Sequence, residues 1–177
     1  IGGERFGRYS IIGLAARERI EVASGRASVI RDGVVVEERE AGDPLEFVDE
    51  YLKRASAAPL ASDLRFAGGL AGYFSYDVVR YIEPKLSHDT RADPIGLPDI
   101  RLLLSEELAV VDNLSGKVHL IVYADAHEPG AYARARARLE ALRGRLRGSA
   151  PPPAHVAGDA CESPRSNIGE EAFYAAV

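Results

Sequence analysis

The chain has 177 residues, of which 46% are hydrophobic and 28% are charged, and its net charge is −5. This balance is typical of a soluble globular domain with a core of its own. The acidic net charge argues against a nucleic-acid partner, because phosphate-binding surfaces carry an excess of basic residues. No apolar run approaches the roughly 20 residues that cross a bilayer. We therefore expect neither a nucleic-acid nor a membrane partner.

The single cysteine, Cys161, lies in a polar, proline-rich stretch. One copy of the chain can therefore build neither a disulfide framework nor a cysteine metal site. A reducing, cytoplasmic setting fits best. The chain also contains no methionine and opens on Ile1, so we expect it to be a piece of a longer protein.

The first forty residues predict antiparallel strands. Residues 8–14 are β-prone, and residues 17–22 alternate polar and apolar side chains as a half-buried strand does. Asp32-Gly33 separates two further β-prone runs at 27–31 and 34–37, and Asp-Gly is a strong hairpin signal. Three or four antiparallel strands should precede the first helix.

A helix is predicted to begin after Gly42. Asp43 suits the N-cap, Pro44 the first helical position, and Glu46 the third position of a capping-box-like start. The expected inward face consists of Leu45, Val48, Leu52 and Ala55. The pattern indicates a surface helix that covers a sheet.

The stretch 66–83 is the densest apolar and aromatic run of the chain. It predicts a buried strand that runs into a short helix, with Asp77 near the helix start, where a carboxylate suits the free N–H groups. We expect the aromatic residues Tyr73, Phe74 and Tyr76 to fill the core. Glycine weakens a strand interior, so Gly68, Gly69 and Gly72 indicate that a backbone or a bulky neighbour approaches closely.

The remaining chain predicts two more strands and a helix. Apolar runs at 100–112 and 117–124 flank a turn, and residues 132–146 follow a helical pattern whose arginines form a solvated face. The fold class is therefore α+β, with antiparallel, sandwich-like sheets covered by a few helices. We divide the chain into a domain at 1–148, a Pro/Gly-rich linker at 149–164, and the truncated start of a second domain at 165–177.

The run Gly-Gly-Leu-Ala-Gly-Tyr-Phe-Ser-Tyr-Asp-Val-Val-Arg-Tyr-Ile-Glu, residues 68–83, resembles a motif in the N-terminal half of anthranilate synthase component I. Residues 4–13 are similar to an early Gly-Arg-Tyr-Ser strand of that family. Residues 170–177 are similar to the helix that opens its chorismate-binding part. The three resemblances follow one another in the family's order. The motif positions are Gly68, Gly69, Gly72, Tyr73, Tyr76, Asp77 and Arg80.

The resemblance implies a reaction that turns chorismate and ammonia into anthranilate and pyruvate, with Mg²⁺ as cofactor and a glutaminase subunit as ammonia source. In the family the chorismate and metal residues lie in the C-terminal half, which corresponds to sequence beyond residue 177. We therefore expect no catalytic residue and no metal ligand in this chain, and the C-terminal chorismate-binding half as its partner. The isolated chain should be inactive.

The resemblance also implies part of a feedback site for L-tryptophan, between the two sheets. The matching positions are Arg8, Tyr9 and Ser10. A guanidinium pairs with a carboxylate, a hydroxyl bonds either end of a zwitterion, and a ring can face an indole. The alternative is that Arg8 and Ser10 face solvent while Tyr9 packs in the core.

Two other functions stay open. The related aminodeoxychorismate synthase component shares the Gly-Tyr-x-x-Tyr-Asp pattern, although the run at 79–83 favours the anthranilate enzyme. A stand-alone small-molecule-binding module is the second alternative.

Overall fold

A computed structural model describes residues 7–40, 42–55, 57–58, 64–87, 95–148 and 166–176. The predicted α+β class with antiparallel sheets is confirmed. The chain divides into two compact units, Ile1–Arg147 and Gly148–Val177. In the second unit the structure describes helix α4, Glu170–Ala176, where the sequence predicts one. The predicted linker at 149–164 lies outside the described residues, and the assignment of roles to the three segments stays a prediction.

The first unit contains two antiparallel sheets. One has five strands in the order β4-β3-β2-β6-β5, and the other has three in the order β1-β7-β8. The strands are β1 Tyr9–Gly13, β2 Glu18–Ala23, β3 Arg26–Arg31, β4 Val34–Glu40, β5 Gly69–Phe74, β6 Ile100–Ser105, β7 Glu107–Asp112 and β8 Lys117–Val122.

The two sheets share one bent ribbon. β1 pairs with β7 in one sheet, and their continuations β2 and β6 pair in the other. Between the pair Gly13–Leu108 and the pair Arg19–Leu103, the β1–β2 side has one residue more than the β6–β7 side. An extra residue of this kind bends a ribbon and lets strands change sheets. The single strand predicted at 100–112 is therefore wrong: Glu106 divides it into two strands of different sheets.

Two tight turns join β2, β3 and β4. Ser24 and Gly25 have φ of 50° and 74°, and Asp32 and Gly33 have φ of 49° and 84°. Positive φ at both central residues is the geometry whose twist matches that of the flanking strands. The Asp-Gly hairpin predicted from the sequence is confirmed.

Helix α1, Pro44–Arg54, covers the five-stranded sheet and begins as predicted. The Asp43 carboxylate accepts hydrogen bonds from the backbone N–H groups of Leu45 (2.8 Å) and Glu46 (3.4 Å). The predicted inward face is wrong except for Val48, because Leu45, Leu52 and Ala55 are exposed. The buried residues are Pro44, Phe47, Val48 and Tyr51, which lie on one side of the helix at helical spacing.

The main core lies between α1 and the inner face of β2, β3 and β6. Its members, all under 9% exposed, are Ile20, Val22, Ala27, Val29, Phe47, Val48, Tyr51, Val78, Ile100 and Leu102. A second, smaller cluster of Leu108, Val110 and Ile121 belongs to the three-stranded sheet. Helix α3, Ala131–Arg147, contacts β8 and buries Ala131 and Leu142.

The central stretch forms a strand and a short helix, as predicted, but it is not buried. β5 is followed by a 3-10 turn, Tyr76–Val78, and by helix α2, Val79–Ile82. β5 is the edge of its sheet, so Phe74 is 50% exposed and Tyr76 is 89% exposed. The prediction that Tyr73, Phe74 and Tyr76 fill the core is therefore wrong for the part of the chain that the structure describes.

The glycines of this stretch do mark close approaches. A Cβ on Gly72 would lie 1.9 Å from the Arg101 carbonyl oxygen, and one on Gly68 would lie 2.6 Å from the Tyr123 ring. Gly69 meets no neighbour but has a φ of 116°, which side-chain-bearing residues rarely adopt.

Candidate functional site

The three predicted ligand residues lie at the outer end of the three-stranded sheet, where β1 meets the turn after β7. Arg8 directly precedes β1, and its guanidinium donates two hydrogen bonds to the Asp112 carboxylate. The distances are 3.2 Å from Nε to Oδ1 and 3.0 Å from Nη2 to Oδ2. The side chain of Asp112 is 7% exposed and that of Arg8 is 37% exposed. Arg8 and Asp112 therefore form a bidentate ion pair, in which two parallel hydrogen bonds fix the plane of the guanidinium.

The turn holds Asp112 from its other side. Asp112 Oδ1 also accepts hydrogen bonds from the backbone N–H of Leu114 (3.0 Å) and of Ser115 (3.3 Å). The hydrogen bond from Arg8, together with the donors of the turn, lowers the pKa of Asp112 well below its usual range. The carboxylate is therefore ionised at neutral pH, and Arg8 faces a permanent negative charge.

Tyr9 lies beneath the guanidinium. The Arg8 Cζ atom is 4.9 Å from the centre of the Tyr9 ring, which is cation–π distance. Tyr9 is half-buried and packs against the cluster of Leu108, Val110 and Ile121. The structure thus brings Arg8 and Tyr9 together: the Tyr9 ring packs partly against the core and partly beneath Arg8.

Ser10 does not join that pair. Successive side chains of a strand point to opposite faces, so Ser10 and Tyr9 lie on opposite faces of the sheet. Ser10 is exposed, and its Oγ atom accepts a hydrogen bond from Asn113 Nδ2 at 3.0 Å. The same amide group donates to the Gly7 carbonyl oxygen at 3.0 Å. Arg8 with Tyr9, and Ser10 with Asn113, therefore form two neighbouring groups at the same end of β1 and not a single cluster.

Sequence reasoning missed Asp112 and Asn113. The turn at 113–116 was recognisable, but its contact with Arg8 spans 104 residues of chain and depends on the pairing of β1 with β7. A hint was present in the pattern Asp-Asn-Leu-Ser-Gly, because Asp and Asn side chains often bond the backbone of a turn.

The family-motif residues belong to a different place. Gly68, Gly69, Gly72 and Tyr73 lie at or in β5, on the five-stranded sheet. Asp77 forms an ion pair with Arg80 one helical turn later, at 3.0 Å. These contacts shape the strand-to-helix junction and do not converge on a ligand-sized site with the Arg8 pair.

The described residues do not fit a magnesium site. Among them no group of three or more His, Cys, Asp or Glu side chains is placed to hold a metal ion. The described part of the chain also contains no helix long and apolar enough to cross a membrane.

Comparisons with known proteins identify relatives for the whole chain. No family model matches it. Anthranilate synthase component 1 of Neisseria meningitidis serogroup B is 45% identical over 180 aligned residues, which cover 100% of this chain and 36% of that protein. The enzyme component of the same name from Pseudomonas aeruginosa is 48% identical over 146 residues, covering 82% of this chain and 30% of that protein.

The chain is homologous to the N-terminal part of anthranilate synthase component I. It spans about a third of the length of these curated relatives. The crystal structure of anthranilate synthase component I from Streptococcus pneumoniae agrees, with a TM-score of 0.64 and 28% identity over 82% of this chain and 31% of that one. The resemblance stated from residues 4–13, 68–83 and 170–177 is thereby confirmed. The tryptophan role of Arg8, Tyr9 and Ser10 stays a prediction.

Proposed function

We propose that the protein carrying this chain is component I of an anthranilate synthase. It would convert chorismate and ammonia into anthranilate, pyruvate and water in tryptophan biosynthesis, in the cytoplasm. The observation that supports this most strongly is the 45% identity to anthranilate synthase component 1 over the full chain. The similar fold of a solved component I adds independent support.

In this proposal the present chain supplies scaffold and regulation, and chorismate and Mg²⁺ bind to the C-terminal chorismate-binding half. A glutaminase subunit would deliver ammonia. Lyase chemistry would then need both halves.

The regulatory part of the proposal concerns L-tryptophan as a feedback inhibitor. Arg8 would pair with the ligand carboxylate, Tyr9 would border the indole, and Ser10 would hydrogen-bond the amino-acid group. Two features support this: Arg8 and Ser10 are each at least partly accessible, and both are fixed by contacts with the turn after β7.

The test of the proposed reaction is product formation. The complete gene product that contains these residues is incubated with chorismate, Mg²⁺ and an ammonium salt, and anthranilate is followed by its fluorescence. Pyruvate is measured in the same samples and should appear in equal amount. Ammonium replaces the glutaminase, so the assay does not depend on the partner.

Two results would contradict the proposal. Accumulation of aminodeoxychorismate without pyruvate would identify the related synthase. No consumption of chorismate, while L-tryptophan still binds, would favour a small-molecule-binding module.

A further inference from the structure

We propose that one side of helix α3 is the surface on which the glutaminase subunit docks, through arginines that meet carboxylates of that partner. This docking side consists of Tyr132, Arg136, Arg143, Leu146 and Arg147. The inference rests on the proposed function for the identity of the partner. It adds the place on this chain where the ammonia-supplying subunit binds.

Helix α3 differs in charge from the rest of the chain. It contains six arginines and one glutamate, a net charge of +5, whereas the whole chain has −5, so the remaining residues carry −10. Those residues would repel a long polyanion such as nucleic acid or an anionic membrane. A protein partner that contacts α3 alone meets the positive region only. The charge distribution therefore favours a protein surface that carries carboxylates.

Helical spacing divides the six arginines into two rows on opposite sides of α3. Arg136, Arg143 and Arg147 are seven and four positions apart, so they project from the same side of the helix. The buried residues Ala131 and Leu142 lie between this row and the opposite one. The opposite row consists of Arg134, Arg138 and Arg145.

The opposite row is largely neutralised within the chain. Arg134 forms an ion pair with Glu128 at 2.6 Å, and Arg138 forms one with Glu107 at 2.8 Å. In this row only Arg145 has no ion pair among the residues that the structure describes. That side of α3 therefore keeps little charge for another protein.

The row on the docking side keeps its charge. Arg136 and Arg147 have no ion pair within the described part of the chain. Arg143 pairs with Glu140 of the same helix at 3.0 Å, and both side chains are more than half exposed. Exposed pairs of this kind contribute little and are easily exchanged for another partner. All three arginines are therefore accessible to carboxylates of a second protein.

Two exposed apolar side chains accompany this row. Tyr132 is 78% exposed and precedes Arg136 by one helical turn, and Leu146 is 60% exposed and lies next to Arg147. Tyrosine and arginine are enriched among the residues that contribute most to protein–protein binding. The side of a helix is convex, whereas small molecules bind in concave sites. The combination of arginines and apolar groups therefore fits a protein partner.

The helix provides a matched control. Arg136 and Arg145 are both exposed, and neither has an ion pair in the part of the chain that the structure describes. They are nine positions apart, which places them on opposite sides of α3. Arg136→Glu and Arg145→Glu change the net charge by the same amount, but only the first of them alters the docking side.

The experiment supplies the complete gene product with chorismate, Mg²⁺ and one of two nitrogen sources. One series contains an ammonium salt, and the other contains L-glutamine with increasing concentrations of the purified glutaminase subunit encoded in the same genome. The glutamine-dependent rate is divided by the ammonium-dependent rate of the same protein, which removes differences in folding and catalysis. The variants are Arg136→Glu, Arg136→Glu with Arg147→Glu, Tyr132→Ala and Arg145→Glu.

We expect the double charge reversal to raise the glutaminase concentration at half-maximal rate about tenfold or more, because two attractive charges become repulsive. Arg136→Glu and Tyr132→Ala should each raise it several-fold, and Arg145→Glu should leave it unchanged. Added salt should weaken docking to the unmodified protein more than docking to the double variant, since it screens an attraction only in the former.

Three results would contradict the inference. An equal half-maximal concentration in all proteins, or an equal shift in Arg136→Glu and Arg145→Glu, overturns it and leaves the proposed reaction intact, because the ammonium series does not depend on docking. Heparin binding that the double reversal abolishes, with glutaminase docking unchanged, assigns the surface to a polyanion and also overturns it. If the unmodified protein forms no anthranilate from the ammonium salt, the proposed function itself is wrong, and the docking inference falls with it.

Discussion

Two regions of the molecule, the core beneath α1 and the edge strands β1 and β5, differ in how completely their apolar side chains are buried. The inner face of β2, β3 and β6 is closed by α1, and ten side chains there are under 9% exposed. The edge strands β1 and β5 are open: Ile12 is 54% exposed and Phe74 is 50% exposed although both are large and apolar. The comparison separates residues that hold the fold together from residues whose apolar surface has no cover within the described part of the chain.

Phe47→Ala should produce the largest loss of stability. Phe47 is 1% exposed, packs in the main core, and has the Arg39 guanidinium 4.6 Å from its ring centre. Removing a buried phenylalanine side chain costs about 3–5 kcal/mol. Urea unfolding of the chain measures this loss in the free energy of unfolding, and Phe74→Ala on the open edge is the matched control. Equal losses in the two variants would refute the distinction between closed and open regions.

Gly72→Ala should have the next largest effect. The new Cβ would lie 1.9 Å from the Arg101 carbonyl oxygen, so β5 must shift away from β6. Overpacking of this kind costs about 1–3 kcal/mol and occasionally more. Gly144→Ala is the control, because a Cβ at that position of α3 meets nothing within 4 Å; it should stabilise the helix slightly. Amide exchange in β5 should accelerate in Gly72→Ala alone, and unaltered exchange there would contradict the close approach.

Tyr51→Phe tests the polar contact beneath α1. The Tyr51 hydroxyl donates to the buried Glu18 carboxylate, which also accepts from Arg31 Nε. Losing this bond should cost about 1–3 kcal/mol at neutral pH. Burial, and then the bond to Glu18, raises the pKa of Tyr51 above its usual value.

The pH dependence of this effect has a definite sign. The folded-state pKa of Tyr51 is raised, so the contribution is complete below the unfolded pKa of about 10 and is lost as the pH rises through the folded value. The stability difference between the unmodified chain and Tyr51→Phe should therefore shrink above about pH 10. A difference that stays constant in urea unfolding from neutral to strongly alkaline pH would contradict the assignment.

Asp43→Ala should have the smallest effect of the series, about 1 kcal/mol, because it removes one helix cap. Two N–H groups of α1 lose their acceptor. Asp49→Ala, on the exposed side of the same helix, is the control and should change stability by no more than about 0.5 kcal/mol. Thermal unfolding followed by circular dichroism separates the two variants, and identical melting temperatures would argue against the cap.

Local signals in the sequence predicted local structure well. The cap at Asp43 and the turn at Asp32-Gly33 depend on residues two or three positions apart, and both are present. The division at Glu106 was missed although the polar residues Ser105, Glu106 and Glu107 interrupt the apolar run there. The change of sheet itself arises from pairing with β1 and β2, which the local pattern does not show.

Burial and the candidate site depended on contacts that periodicity does not show. The aromatic content of 66–83 indicated burial, yet β5 has a partner on one side only. The pairing of β1 with β7 is what brings Asp112 to Arg8. The ligand residues themselves came from the family resemblance, and Asp112 and Asn113 came from the structure.

We propose that the open end of β1 is a tryptophan site. Calorimetric titration of L-tryptophan into the complete gene product tests it directly, with Arg8→Ala and Tyr9→Ala as the variants and Arg17→Ala as the matched control. We predict that Arg8→Ala and Tyr9→Ala each weaken binding by about 1.4 kcal/mol or more, a tenfold loss, and that Arg17→Ala leaves it unchanged. Binding that is equally tight in all four proteins would contradict the claim.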